Sequence, residues 1–122
     1  KGLGSVHSMS HACGADQSLR LHHGTLNAVI LPTILDFNRH HVGDKYTRLN
    51  AAMGLDASAD PAEFIRELNA EIGLPANLRE MGVQKDAIAD LSSHAAKDVC
   101  TFTNPRPCSA EEYEGLYEIA IG

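Results

Sequence analysis

The chain has 122 residues, 43% of them hydrophobic, which suffices for one domain with its own core and excludes a disordered segment. A net charge of −6, with ten basic residues scattered among sixteen acids, leaves no clustered phosphate-binding surface and argues against a nucleic-acid partner. Three irregularly spaced cysteines argue against a disulfide framework and for a reducing cytoplasm, and the longest apolar stretch, residues 26–37, falls short of the roughly twenty residues a membrane span needs.

Aromatic residues are only 5% of the chain and Trp is absent, while Ala, Leu and Glu are plentiful, a balance that favours an all-helical fold. The first residues, KGLGSVHSM, read as already helical, with no lead-in turn and no signal-peptide pattern. That start is expected of a fragment of a larger protein. Val6 to Cys13 predicts a helix that Gly14 stops, followed by a polar connection over residues 15–22. Gly24 to Asn38 is apolar on most faces, which predicts a buried helix bent at Pro32. Val42 to Met53 predicts a shorter amphipathic helix with Tyr46, Leu49 and Met53 on one stripe.

The next helix has the clearest start: Asp60 as N-cap, Pro61 as first helical residue and Glu63 as the acid that bonds back to the cap. It carries Phe64, Ile65, Leu68 and Ile72 and ends at Gly73, and Pro75 to Met81 then forms a short turn or helix. Lys85 to Val99 predicts a helix with Ile88, Leu91 and Ala95 inward, and Pro105 and Pro107 make TFTNPRP irregular. Ser109 and Glu112 form a capping box for a last helix that packs through Tyr113, Leu116 and Tyr117. There is no repeat and no strand-like alternation. The expected architecture over 1–122 is a single all-α bundle of about six helices.

Four of the seven histidines, His7, His11, His22 and His23, lie close together in sequence. On a helix His7 and His11, four apart, share a face at about 6 Å, and paired neutral imidazoles are a common half-site for Zn²⁺, Fe²⁺ and related ions. No glutamate follows His7, so the pair is not the metalloprotease arrangement. The small residues Ser5, Ser8, Ser10, Ala12 and Gly14 leave room for a ligand or another segment to approach. Surface composition is the ordinary explanation of an isolated pair, and His22 and His23 strengthen the metal reading. His40, His41 and His94 read as solvated helix positions, and Cys13 and Cys100 as small core residues; Cys108 has no evident partner. Two or three ligands are too few for a closed structural metal site, so substrate, water or further residues must complete it.

Four blocks, GLGSVHSMSHACGA, HHGTLNAVILPTILDFN, IGLPANLREMGV and DVCTFTNPRP, cover nearly the whole chain. In their order and spacing they resemble the C-terminal helical domain of iron-containing (group III) alcohol dehydrogenases. The resemblance implies a two-domain enzyme with its active site in the cleft against an N-terminal nucleotide-binding domain, which this chain lacks. It also implies a divalent metal, Fe²⁺ or Zn²⁺, held by one Asp and three His, with the Asp and the first His on an earlier helix. By position the remaining two ligands are His7 and the His before Gly, His23. The connection from His11 is longer than the family pattern, so His22 competes with His23; the His23–Gly24 step favours His23. His11 matches the second helix histidine, with a proton-relay or substrate-contact role. Cys100 matches the return of the chain toward the cleft, where it lines the substrate pocket or packs in the core.

The implied function is the metal-binding part of an NAD(P)-linked enzyme acting on a small alcohol or aldehyde, inactive alone, cytoplasmic and open to self-association. The alternative is a non-catalytic helical module that binds or assembles with another chain. Apolar helix surface left uncovered would favour association.

Overall fold

The computed structural model describes residues 2–122, and among them six α-helices, three short 3₁₀ turns and no strands are found. The helices are α1 (Ser5–Gly14), α2 (His23–Asn38), α3 (Lys45–Ala52), α4 (Pro61–Glu71), α5 (Ile88–Lys97) and α6 (Ala110–Ile121). α1 packs between α2 and α5, with α4 on the far side of α2 and α6 against α5 and α2. Met9, Leu26, Ile30, Leu78, Tyr113 and Tyr117 are fully buried at the centre. No described helix is long and apolar enough to cross a membrane.

The small residues of α1 are used for helix packing: Ser5, Ser8 and Ser10 are wholly buried. Two tyrosines of α6 fasten that helix to α1, Tyr113 donating to Ser5 Oγ (2.9 Å) and Tyr117 to the Met9 carbonyl (2.9 Å). The opening residues are not helical. Residues 2–4 precede α1, and Gly4 turns into it at φ 76°, a conformation that favours glycine. The Ser5 N–H that opens the helix donates to Asn104 Oδ1 at 3.2 Å. The NPRP loop thus serves as a remote cap for α1, and Asn104 is held in place by a reciprocal amide pair with Asn38 (3.0 and 2.8 Å).

α2 runs without interruption through Pro32. Proline has no N–H to give to the carbonyl four residues back, here that of Ala28. Asn69 of α4 supplies the missing donor, its Nδ2 lying 2.8 Å from the Ala28 oxygen. A position read as a bend is therefore also the point where α4 is tied to α2.

Several boundaries differ from the sequence reading for local reasons. Gly14 stays helical and Ala15 at the C-cap is right-handed, so glycine is not needed to end α1. Residues 39–41 form a 3₁₀ turn and Gly43 takes φ 56°, delaying α3 to Lys45; Leu49 on its expected stripe is exposed. Asp60 caps α4 by accepting from the Ala62 and Glu63 N–H groups. Glu63 does not bond back; it pairs with Arg66 at 3.2 Å, while Asp60 receives Arg39. Of the apolar residues expected on this helix, Leu68 is exposed, and Ile72, also exposed, is its C-cap. Residues 85–87 are a 3₁₀ turn, and α5 ends at Lys97 because Asp98 is extended (φ −68°, ψ 138°). Residues 99–103, expected partly in the helix and partly irregular, wind into a 3₁₀ turn capped by Asp98. The capping box of α6 forms as expected, with Ser109 and Glu112 bonding in both directions (3.2 and 2.9 Å).

Candidate metal centre

α1 presents His7 and His11 one turn apart, and the first residue of α2 presents His23 beside them. The three imidazoles form a triangle, with ring centroids 5.3 Å apart for His7–His23, 5.4 Å for His11–His23 and 5.8 Å for His7–His11. His11 and His23 lie nearly parallel, at 17°. His7 is half-buried; the other two are exposed.

The nitrogens of His7 and His23 converge. Asn27, one turn beyond His23 on α2, donates its Nδ2 hydrogens to Nε2 of His23 (3.1 Å) and toward Nε2 of His7 (3.4 Å). Two imidazole lone pairs are thus aimed at one small volume, where a shared amide stands in for a cationic partner. His7 Nδ1 and Asn27 Oδ1 are buried without a hydrogen-bond partner of good geometry among the described residues, a costly condition for polar atoms. Burial, and then the neighbouring His23 and His11, hold His7 below the ordinary imidazole pKa, which favours its neutral, metal-ligating form.

His22 faces elsewhere. It is the N-cap of α2, its Nδ1 accepting from the Thr25 N–H (3.3 Å) and lying 3.2 Å from Thr25 Oγ1. His40 and His41 follow α2 on the surface, and His94 is exposed on α5. None of these three belongs to the triangle.

His11 makes a contact that sequence reasoning missed. Its Nδ1 lies 3.0 Å from Oδ2 of Asp98, whose Oδ1 accepts the Cys100 N–H at 2.8 Å. A carboxylate only accepts, so the His11 nitrogen facing Asp98 carries a proton, and in the neutral ring Nε2 is the nitrogen left bare. Burial works against the Asp98 anion, yet the bonds from Cys100 and His11 hold its pKa below the usual carboxylate range. Cys100 is buried close by, and burial, followed by the hydrogen bond to Asp98 and then its charge, pushes the thiol pKa up. The signal for Asp98 was an acid just before a possible turn, an N-cap pattern masked by reading the helix through to Val99. Cys13, Cys100 and Cys108 are all unpaired and buried.

The donor set fits a divalent metal: two imidazole nitrogens converge beside an orphaned buried amide oxygen. Residues 1–121 match the family described as Fe-containing alcohol dehydrogenase family, C-terminal. The chain is 42% identical over 125 residues to a 4-hydroxybutyrate dehydrogenase of Cupriavidus necator, covering 97% of this chain and 33% of that protein. It is 36% identical over 127 residues to a lactaldehyde reductase of Escherichia coli K12, covering 98% and 33%. A solved structure of a 1,3-propanediol oxidoreductase superposes with a TM-score of 0.89 at 31% identity, over 98% of this chain and 33% of that one. The chain spans about a third of the length of the curated relatives it matches.

Proposed function

The chain belongs to the Fe-containing alcohol dehydrogenase family, as its C-terminal part, and from that premise we propose that His7 and His23 supply two ligands of a divalent metal in an NAD(P)-linked enzyme interconverting small alcohols and aldehydes. Fe²⁺ is the ion proposed, with Zn²⁺ equally suited to the imidazole donors. The remaining ligands, an Asp and a His, come from an earlier helix of the full-length protein, and the nucleotide is bound mainly by its nucleotide-binding part. The observation that carries this reading is the convergence of the two Nε2 atoms on one point. When bound, such a metal supplies Lewis-acid chemistry, lowering the pKa of an alcohol hydroxyl or polarising a carbonyl.

The residues of the chain do the rest. His7 is kept neutral by burial and by its imidazole neighbours, so it is ready to ligate without first losing a proton. Asn27 holds both rings in register until a ligand replaces its amide hydrogens. Hydride can leave an alcohol carbon only when the hydroxyl proton is lost, and His11 is the carrier that takes this proton on Nε2 and passes it to water. Asp98 is a positioning residue: by accepting Nδ1–H it fixes the tautomer and steadies the imidazolium that forms. Cys100, beneath that pair, is assigned to the wall of the substrate pocket.

Metal analysis of full-length wild type, His7→Ala and His23→Ala tests the assignment. Stoichiometric metal in the wild type and its loss in both variants are expected. Unchanged metal content in both would overturn it. Alcohol-dependent reduction of NAD(P) by the full-length protein, and none by the 122-residue chain alone, is expected in the same preparations.

A further inference from the structure

Below the triangle, one nitrogen of His11, a carboxylate oxygen of Asp98 and the Cys100 sulfur all lie within 4.8 Å of one another. We propose that these three residues form a second metal site, distinct from the His7–His23 pair and suited to a borderline-soft ion such as Zn²⁺. The three donors come from two rigid pieces. His11 sits near the end of α1, and Asp98 and Cys100 sit where α5 gives way to a 3₁₀ turn. Neither His7 nor His23 contributes.

The geometry is close to what the ion needs. With Zn–N and Zn–O bonds of about 2.1 Å, a tetrahedral N···O edge is about 3.4 Å. The Nδ1 to Oδ2 separation of 3.0 Å requires only a small spreading. The sulfur lies no more than 4.8 Å from the other two donors, so it has to close by at most about an ångström, within reach of a Cys side-chain rotation. Access is from a shallow depression lined by His11, Ala12, Ala15, His94, Lys97 and Asp98, which leaves the fourth position to water. Lys97, the nearby cation, is turned to Ser93, its Nζ lying 3.1 Å from that hydroxyl.

Charge also balances. A thiolate and a carboxylate neutralise a divalent ion, and the imidazole adds a neutral nitrogen. Binding releases the Cys100 thiol proton to water and moves the His11 proton from Nδ1 to Nε2, with no change of oxidation state. A site that requires thiol deprotonation binds more tightly as pH rises. Its occupation breaks the His11–Asp98 hydrogen bond and fills the Nε2 that should take up a proton. Under the function proposed above, and resting on it, this ion would inhibit turnover while leaving the His7–His23 pair untouched.

Titrating the chain with Co²⁺, the spectroscopic substitute for Zn²⁺, tests the site without any activity assay. A near-ultraviolet sulfur-to-cobalt charge-transfer band saturating at one ion per thiolate site is expected, and Zn²⁺ should bleach it. The band should survive in His7→Ala/His23→Ala, vanish in Cys100→Ser and weaken at least about tenfold in affinity in His11→Gln, which removes an imidazole ligand. His11 is exposed, so this variant keeps its fold even where a change at buried Cys100 does not. No charge-transfer band in the wild type would overturn the proposal. So would a band that persists in Cys100→Ser, or a cobalt affinity unchanged in His11→Gln.

Discussion

At its C-terminal end α2 carries Asp36 into a closed set of ion pairs, while at its N-terminal end it carries His23 into an open set of imidazoles. At the closed end Arg39 donates to Asp36 (2.6 Å) and to Asp60 (2.7 Å), and Arg66 bonds Asp36 and Glu63. Every carboxylate there faces a guanidinium. At the open end three rings share one amide and one carboxylate, and two buried polar atoms have no partner of good geometry among the described residues. The difference separates two uses of polar groups. Those that satisfy one another hold helices together, and those kept close yet unsatisfied are the ones to which the proposed function assigns a ligand.

The largest expected effect breaks the open end. In the full-length protein, His7→Ala with His23→Ala should reduce alcohol-dependent NAD(P) reduction by at least about a thousandfold, the loss that follows when a Lewis acid worth several kcal/mol is removed. The same pair of changes should leave the thermal midpoint of the metal-free chain within a few degrees, since neither ring fills the core. A collapse of the metal-free midpoint would mean that the triangle is structural, like the other end.

Asp98→Asn is the next largest. It removes the carboxylate that accepts the His11 Nδ1 hydrogen, and under the proposed proton-carrier role of His11 kcat of the full-length protein should fall by about tenfold to a hundredfold, within the range of proton-transfer contributions. KM should change little, and Asp98→Glu should recover part of the loss. Equal losses in the Asn and Glu variants, accompanied by unfolding, would assign Asp98 only to capping the 3₁₀ turn.

At the helix interface, Asn69→Ala leaves the Ala28 carbonyl of the proline-interrupted helix without its donor. A cost of about 1–3 kcal/mol in denaturant unfolding is expected for an orphaned carbonyl, with metal content unchanged. An unaffected midpoint would show that water replaces the amide there.

These contrasts also explain what could be read in advance. The Asp60–Pro61 start and the Ser109–Glu112 box are signals within three or four residues, and both caps are found where expected. The histidine face was legible because a four-residue spacing fixes it on any helix. Asn69 was not legible: its acceptor lies 41 positions away, and only the packing of α4 on α2 joins them. Asp98 was missed because its departure from the helix goes with a turn whose Thr101 hydroxyl is anchored on Tyr113 of α6. Local preference allowed the helix to continue, and a distant contact accompanied its end. Glu63 had two local partners, the cap and Arg66, and sequence alone does not rank them.

The smallest effect belongs to the closed end and depends on pH. The hydrogen bond from Arg39 holds the Asp60 carboxyl below its ordinary value; desolvation opposes this, and the Ala62 and Glu63 N–H groups reinforce it. Because the folded-state pKa is depressed, the folded chain binds fewer protons than the unfolded chain in the interval between the two values. The stabilisation is therefore present above the unfolded carboxylate pKa of about 3.9 and is lost as pH falls through the lower folded value. The side chain is 43% exposed, so solvent screens the ion pair and the cap dominates, at about 1 kcal/mol. Asp60→Ala should cost about that much at neutral pH. The gap from wild type should narrow as pH falls through the folded-state pKa, because protonation removes the same charge-assisted bonds that the substitution removes. A gap that holds constant through that interval would show that the cap works without its charge, and the closed end would then owe its stability to geometry rather than to ion pairing.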